Sequence, residues 1–253
     1  MGMIINPYSY STVPFSNLYS DNLDGVNEYI SVPDTSLFSF TDGAGTDSAF
    51  SVGIWVYMND ATGFWAVSKG DDPSSYEYVF GTDGSDKLVM YLIKSDNSAY
   101  IRQISNSALT AYEGTWIYIM STYSGSKTAG GIKLYVNGSA VAITSGTYGV
   151  YAGMTNGTGA LRFGRYFNFG LYANGKIAYP NFFNAELSAA QCLEIYNAKM
   201  GDVRTTTAGG NVIAMWQFTN GQADYPTYDD VISTNDGTMT NQESTDINTD
   251  IPT

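Results

Sequence analysis

The sequence predicts an all-β fold, a two-sheet antiparallel sandwich with one short helix in its C-terminal third. Three observations lead there. Short apolar runs with a side-chain period of two recur every ~8–12 residues, each bounded by Gly, Asp, Asn or Ser, which is the pattern of strands joined by tight turns. The composition agrees: 21 Tyr and 27 Gly with only 14% charged residues suit many strands and turns. A helical apolar period with start and stop signals occurs at a single place, residues 187–200. For 253 residues one large sandwich suffices, with residues 1–20 an extended arm and 21–253 a single domain.

The elements follow in order. Residues 1–20 contain Pro7 and Pro14, no charge and no period, so they predict no regular structure. Tyr8, Tyr10, Phe15 and Tyr19 make this arm too aromatic for a solvated tail, and it is expected to order on a neighbouring subunit. Residues 20–33 form the first strand region, with a turn at Asp24-Gly25, strand character over 29–32, and Pro33 as its end. Residues 50–57 alternate Phe50, Val52, Ile54 and Val56 against Ser51, Gly53, Trp55 and Tyr57. Strands over 63–69, 76–80, 88–94 and 100–104 continue the meander, with turns at 71–75 and at Asp83-Gly84.

The organising stretch is 113–138. Trp116, Tyr118 and Met120 point to one side, Ile117 and Ile119 to the other, which predicts an inner strand covered on both faces. The return strand sets Ile132, Leu134 and Val136 against Lys133, Tyr135 and Asn137. Asn137-Gly138 supplies a two-residue hairpin turn, after which 139–143 runs back as the next strand. Residues 146–159 read as a loop, 160–166 as a strand, 175–186 (GKIAYPNFFNAE) as the segment leading to the helix, and 212–218 as a late strand. In the helix, Ser188 and Gln191 are spaced as a capping box, and Leu187 and Cys192 as a hydrophobic staple. Cys192, Ile195, Tyr196 and Lys199 share a face, and Gly201 is placed to close the end in the left-handed conformation.

Composition also removes whole classes of function. The chain has no histidine, which excludes Ser-His-Asp and Cys-His catalysis and imidazole metal sites. Its single cysteine, Cys192, can form no intrachain disulfide and reads as a small buried hydrophobe. A net charge of −13 repels phosphate backbones, so no nucleic-acid partner is expected. No apolar run reaches the ~20 residues of a spanning helix, so no membrane insertion is expected, and the N-terminus lacks a secretory pattern.

Several segments carry a resemblance. LDGVNEYISVPD, FSVGIWVY, the strand ending in LYVNG, and above all ALRFGRYFNFGLYANGKIAYPNFFNAELSAAQCLEIYNA resemble laminin-G-like domains of the concanavalin A-like jelly-roll group, over roughly residues 18–253. The resemblance implies a jelly-roll sandwich. Many members carry an acid after G-x-I that helps hold calcium; here that position is Ala178. Asp42, Asp47, Asp71, Asp72, Asp229 and Asp230 could donate oxygens to calcium, but no EF-hand spacing is present, and neither a metal nor another cofactor is assigned. A stretch similar to the tail from Trp216 to Thr238 opens the domain in many relatives. It closes the chain here, and both arrangements can fill one place if the first and last strands are neighbours. The ending NDGTMTNQESTDINTDIP is similar to the tails of tailed-phage virion proteins.

The reading that follows is a non-enzymatic virion structural protein, a capsid decoration, fibre or tail component made in the host cytoplasm. Its partners would be other virion proteins through the arm, further copies of itself in a homo-oligomer, and host-surface glycans. Glycanases of this group pair glutamates on one strand, whereas Glu28, Glu77, Glu113, Glu186, Glu194 and Glu243 share no short motif. A cellular carbohydrate-binding module and a glycanase are the alternatives. For sugar binding the candidate residues are Trp65, Tyr76, Tyr78 and Tyr91, whose aromatic faces can stack on a ring.

Overall fold

The computed structural model describes residues 18–71, 75–94, 96–167 and 169–253. The expected arm therefore lies outside the described residues except for its last three.

Seventeen strands form the body among these residues. The first eight are β1 (Ser20–Asp24), β2 (Tyr29–Val32), β3 (Phe50–Met58), β4 (Val67–Lys69), β5 (Tyr78–Thr82), β6 (Lys87–Ile93), β7 (Tyr100–Ala108) and β8 (Trp116–Tyr123). Then come β9 (Ile132–Val136), β10 (Ser139–Ala140), β11 (Ile143–Tyr148), β12 (Leu161–Phe163) and β13 (Asn174–Phe183). The helix α1 (Ala189–Ala198) precedes β14 (Val212–Gln217), β15 (Thr227–Asp230), β16 (Gly237–Thr240) and β17 (Ile247–Asn248). All pairings are antiparallel. The first sheet runs β17, β1, β13, β3, β8, β9, β10. The second runs β15, β16, β2, β12, β4, β5, β6, β7, β11. β14 pairs with β13 and with β15, and so joins the sheets along one border.

The alternation of each strand decides which side chains meet between the sheets. Phe50, Val52, Ile54 and Val56 of β3, Ile117 and Ile119 of β8, and Ile132, Leu134 and Val136 of β9 enter the core from the first sheet. Tyr78 and Phe80 of β5, Leu88, Met90 and Leu92 of β6, and Leu161 and Phe163 of β12 meet them from the second. The opposite faces of β3 and β8 are also covered: Trp55, Tyr118 and Met120 pack with Cys192 and Ile195 of α1. The two-faced apolar pattern of β8 thus corresponds to an inner strand, as its sequence predicts.

The helix starts where expected. Ser188 Oγ accepts the Gln191 N–H, the Gln191 side chain accepts the Ser188 N–H at 3.0 Å, and Leu187 is buried beside Cys192. Its end differs. Lys199, not Gly201, takes the positive φ of 54°, and its ammonium lies over the rings of Tyr196 and Trp55 at 4.3 and 5.4 Å. The Asn137-Gly138 turn has φ of 50° and 74°, as a hairpin of this type requires.

Other boundaries move. Only 67–69 of the expected strand 63–69 pairs regularly, and the expected strand 160–166 stops at Phe163, because Gly164 (φ 81°) turns the chain into a loop. The expected strand 139–143 is two pieces: β10 stays on β9, and β11 crosses to the edge of the second sheet beside β7 and takes residues 146–148 from the expected loop. The tail adds three strands that its polar sequence does not predict. β16 pairs with β2 and β17 with β1, so the first and last strands are neighbours. One buried apolar side chain anchors each of the three, Tyr228, Met239 and Ile247, and β15 also buries Asp230.

Candidate functional site

The outer face of the second sheet carries the candidate site. Here Val79, Val89, Tyr91, Ile93, Tyr100, Arg102 and Ile104 point away from the core, and residues 164–167 and 169–173 fold over part of them. The loop is short and pinned. Gly164 N–H donates to Ala66 O at 3.1 Å, Ala173 N–H to Gly164 O at 2.9 Å, and Tyr166 N–H to Leu171 O at 2.9 Å. Ser68, wholly buried on β4, secures it from below: its hydroxyl donates to Arg165 O at 2.7 Å and accepts the Phe167 N–H at 3.0 Å. Phe167 sits at φ 44°, a conformation bulky residues rarely adopt, and burial of its ring holds it there.

This arrangement gathers an aromatic cup. Ring centroids are 4.5 Å apart for Trp65 and Tyr166, 4.7 Å for Tyr76 and Phe167, and 5.6 Å for Tyr166 and Phe169. Phe169 also lies nearly parallel to Tyr76, at 16°. Tyr76, Ile93, Asn97, Tyr166, Phe169 and Leu171, with Phe167, line an open cavity of about 360 Å³. Phe169 and Leu171 are 49% and 51% exposed and form its rim beside the exposed Asn97. A flat ring with a polar edge fits such a cup, stacked on aromatic faces and hydrogen-bonded to an amide.

The four residues singled out from sequence separate here. Trp65, Tyr76 and Tyr91 come together on this face. Trp65 and Tyr76 are only 8% and 4% exposed, so they build the walls more than they meet a ligand. Tyr78 points the other way: it is fully buried between the sheets, its hydroxyl donating to Phe38 O at 3.0 Å, and it presents no surface to a ligand. Sequence reasoning missed Tyr166, Phe167, Phe169 and Leu171. Their signal was present as RYFNFGLY, a run too apolar for a solvated turn, preceded by Gly164 and interrupted by Gly170.

A polar layer lies behind the cup. Lys69 Nζ, fully buried, donates to Asp34 at 2.6 Å and to Gly159 O at 2.7 Å, and stands 3.0 Å from Glu77 Oε1. Glu77 Oε1 also accepts from Ser39 Oγ and from Gly157 N–H, both at 3.2 Å, whereas its Oε2 has no hydrogen-bond partner among the described residues. Burial outweighs the neighbouring ammonium and pushes the Glu77 carboxyl up to about 7. The backbone of Glu77 joins the layer to the cup: it follows Tyr76, and its carbonyl accepts the Ile93 N–H at 2.7 Å.

The family profile for the concanavalin A-like lectin/glucanases superfamily (Laminin_G_3) matches residues 24–192. The chain belongs to this superfamily. No curated protein matches it in sequence. Among solved structures, this concanavalin A-like chain is similar to a "putative carbohydrate binding protein" from Bacteroides ovatus, with a TM-score of 0.56 and 16% identity. That match covers 93% of this chain and 60% of the other, so the chain spans less than two thirds of that protein. It is also similar to the native heptameric SAP-like pentraxin from Limulus polyphemus, with a TM-score of 0.49 and 13% identity over 71% of this chain and 82% of that one.

In this concanavalin A-like domain each glutamate holds structure. Glu28 accepts the Asp24 N–H at 2.8 Å, Glu113 the Ala61 N–H at 2.9 Å, and Glu186 pairs with Lys133 at 2.7 Å. Glu194 accepts the Thr207 N–H at 3.1 Å, and Glu243 caps a short helical turn. The aspartates named for calcium are similarly occupied. Asp47 accepts from Tyr123, Tyr151 and the Met154 N–H at 2.7–2.8 Å, Asp42 holds its own turn, and Asp71 pairs with Arg162. Asp229 accepts from Thr219 at 3.1 Å and Asp230 from the Met215 N–H at 3.1 Å, while Asp72 lies outside the described residues. Among the described residues no three acidic or thiolate groups converge as a metal site would need, and Ala178 is buried under the first sheet's outer layer. Cys192 is buried, and burial pushes its thiol up to about 12, which keeps it protonated and inert.

Proposed function

We propose that this chain is a non-enzymatic, lectin-like glycan-binding domain whose binding site is the aromatic cup over the second sheet. We further propose that it serves as a structural component of a tailed-phage virion. The superfamily includes both lectins and glucanases, so the fold alone does not choose between them. The observation that carries the binding reading is the pinning of Arg165 and Phe167 by Ser68, with Tyr166, Phe167 and Phe169 set around one cavity before any ligand arrives. A cup of about 360 Å³ suits one sugar ring at a time. The expected affinity is weak, roughly millimolar to micromolar, because only a few aromatic contacts contribute. The non-enzymatic reading is supported by the structural engagement of all six glutamates, and the carbohydrate-binding description of the Bacteroides ovatus protein accords with it.

The virion role is supported by the ending NDGTMTNQESTDINTDIP and by the uncharged, aromatic composition of residues 1–20, which would engage other virion proteins. A glycan array followed by titration tests the binding reading: saturable binding that Phe169→Ala abolishes without loss of fold is expected, and no signal on any glycan refutes it. Mass spectrometry of purified particles tests the virion role, with the chain expected at stoichiometric copy number.

A further inference from the structure

Beyond the cup, the same sheet face continues to its edge as a row of tyrosines around one arginine. The register sets Val79, Tyr91, Arg102 and Gly146 side by side across β5, β6, β7 and β11, and Ile93, Tyr100 and Tyr148 on the neighbouring line. Tyr91 and Tyr100 meet edge to face at 5.2 Å, and Tyr148, 58% exposed, stacks on Tyr100 at 5.7 Å. Arg102 lies among them, its Nη1 donating to the Tyr91 hydroxyl and its guanidinium 5.3 Å from the Tyr91 ring centre. Gly146 makes room for it, since a Cβ there would stand 2.5 Å from Arg102 Nε.

Two of the other cations bordering this face have an acid beside them, and a third lies between two rings. Lys94 has Asp96 at 3.2 Å, Arg162 has Asp71, and the Arg165 guanidinium lies over the rings of Tyr29 and Tyr172 at 4.6 and 5.1 Å. Arg102 has no carboxylate within ion-pair distance among the described residues, in a chain whose acids outnumber its bases 24 to 11. Tyr91 is its one side-chain hydrogen-bond partner there, and its buried Nε has none. A half-buried guanidinium with unused donors, flanked by ring faces, matches a planar carboxylate carried on a sugar. Strand geometry puts it one residue pair along and one strand over from Ile93 in the cup wall, roughly 8 Å, within reach of a neighbouring sugar.

We infer that Arg102, with Tyr91, Tyr100 and Tyr148, forms a second subsite that selects a carboxylate-bearing sugar next to the ring held in the cup, making the ligand an acidic glycan. This inference rests on the cup as the glycan site. The test titrates the full chain with a uronic-acid-containing oligosaccharide, its carboxyl-reduced neutral counterpart, and a sulfated neutral oligosaccharide. The acidic sugar is expected to bind about tenfold tighter than the reduced one, since charge-assisted hydrogen bonds are the stronger kind. Arg102→Gln should erase that preference while leaving neutral binding unchanged, Arg102→Lys should restore only part of it, and Phe169→Ala should remove binding of both. The preference should also shrink with added salt in the unaltered protein, a readout independent of how any variant folds. Equal binding of acidic and reduced sugars, a preference that survives Arg102→Gln, or stronger binding of the sulfated sugar would overturn the inference and leave the cup standing. Failure of every sugar to bind would overturn the cup reading and this inference with it.

Discussion

The two sheets are built alike, with large side chains on both of their faces, yet their outer faces end differently. On the first sheet Trp55, Tyr118, Met120 and Tyr135 are closed over by α1 and the segments around Val203 and Ala208, and become a second core. On the second sheet Val79, Val89, Tyr91, Ile93 and Tyr100 receive Trp65, Tyr76 and residues 164–167 and 169–173, which cover them in part and leave Phe169 and Leu171 about half exposed. The difference teaches that apolar alternation on a strand reports burial, but not what will do the burying. A face closed by its own chain adds stability, and a face left half open in a rigid scaffold is where binding can reside.

The largest effect should separate the two faces directly. Ile195→Ala, which empties a site under the helix, is expected to cost about 2–5 kcal/mol in chemical denaturation. Phe169→Ala, on the open rim, should fall within about 0.5 kcal/mol of the parent. Equal costs would mean that the rim is core and the comparison fails.

A smaller effect concerns what supports the open face. Glu77 titrates near 4.5 in the unfolded chain and near 7 in the fold, so the folded state holds its proton more tightly. Its contribution to stability is therefore complete below about pH 4.5 and is lost as pH rises through about 7. Thermal unfolding measured between about pH 5 and pH 8 should show the midpoint falling as pH rises, with Glu77→Gln flattening a part worth on the order of 1–2 kcal/mol. A profile unchanged by the substitution would place the dependence on other buried acids such as Asp21, whose carboxyl burial also holds well above its usual range.

The smallest effect tests the lid of the covered face. Ser188→Ala removes the cap at the start of α1 and should cost about 1 kcal/mol, read as a shift in the denaturation midpoint. Glycan binding should not change. Altered binding would show that the two faces communicate.

Local chemistry made much of the fold legible. The period-two pattern of residues 116–123, the positive φ demanded of Asn137-Gly138, and the Ser188 and Gln191 capping box are each settled within a few residues, and each is found as read. What the neighbourhood could not reveal needed partners distant in the chain. Tyr76 and Tyr78 are two residues apart in similar sequence. Tyr76 stands outside β5, which begins at Tyr78, and the approach of Phe167 draws its ring to the cup while Tyr78 enters the core. The tail strands β15, β16 and β17 carry one buried apolar anchor each, too few for an apolar period; β16 and β17 form on backbone groups offered by β2 and β1, and β15 forms between β14 and β16. Arg102 reads in sequence as an ordinary charged residue in a strand. Its seat over Gly146, its contact with Tyr91 and its lack of an acid among the described residues are tertiary facts, because strand register alone brings residues 44 apart into contact.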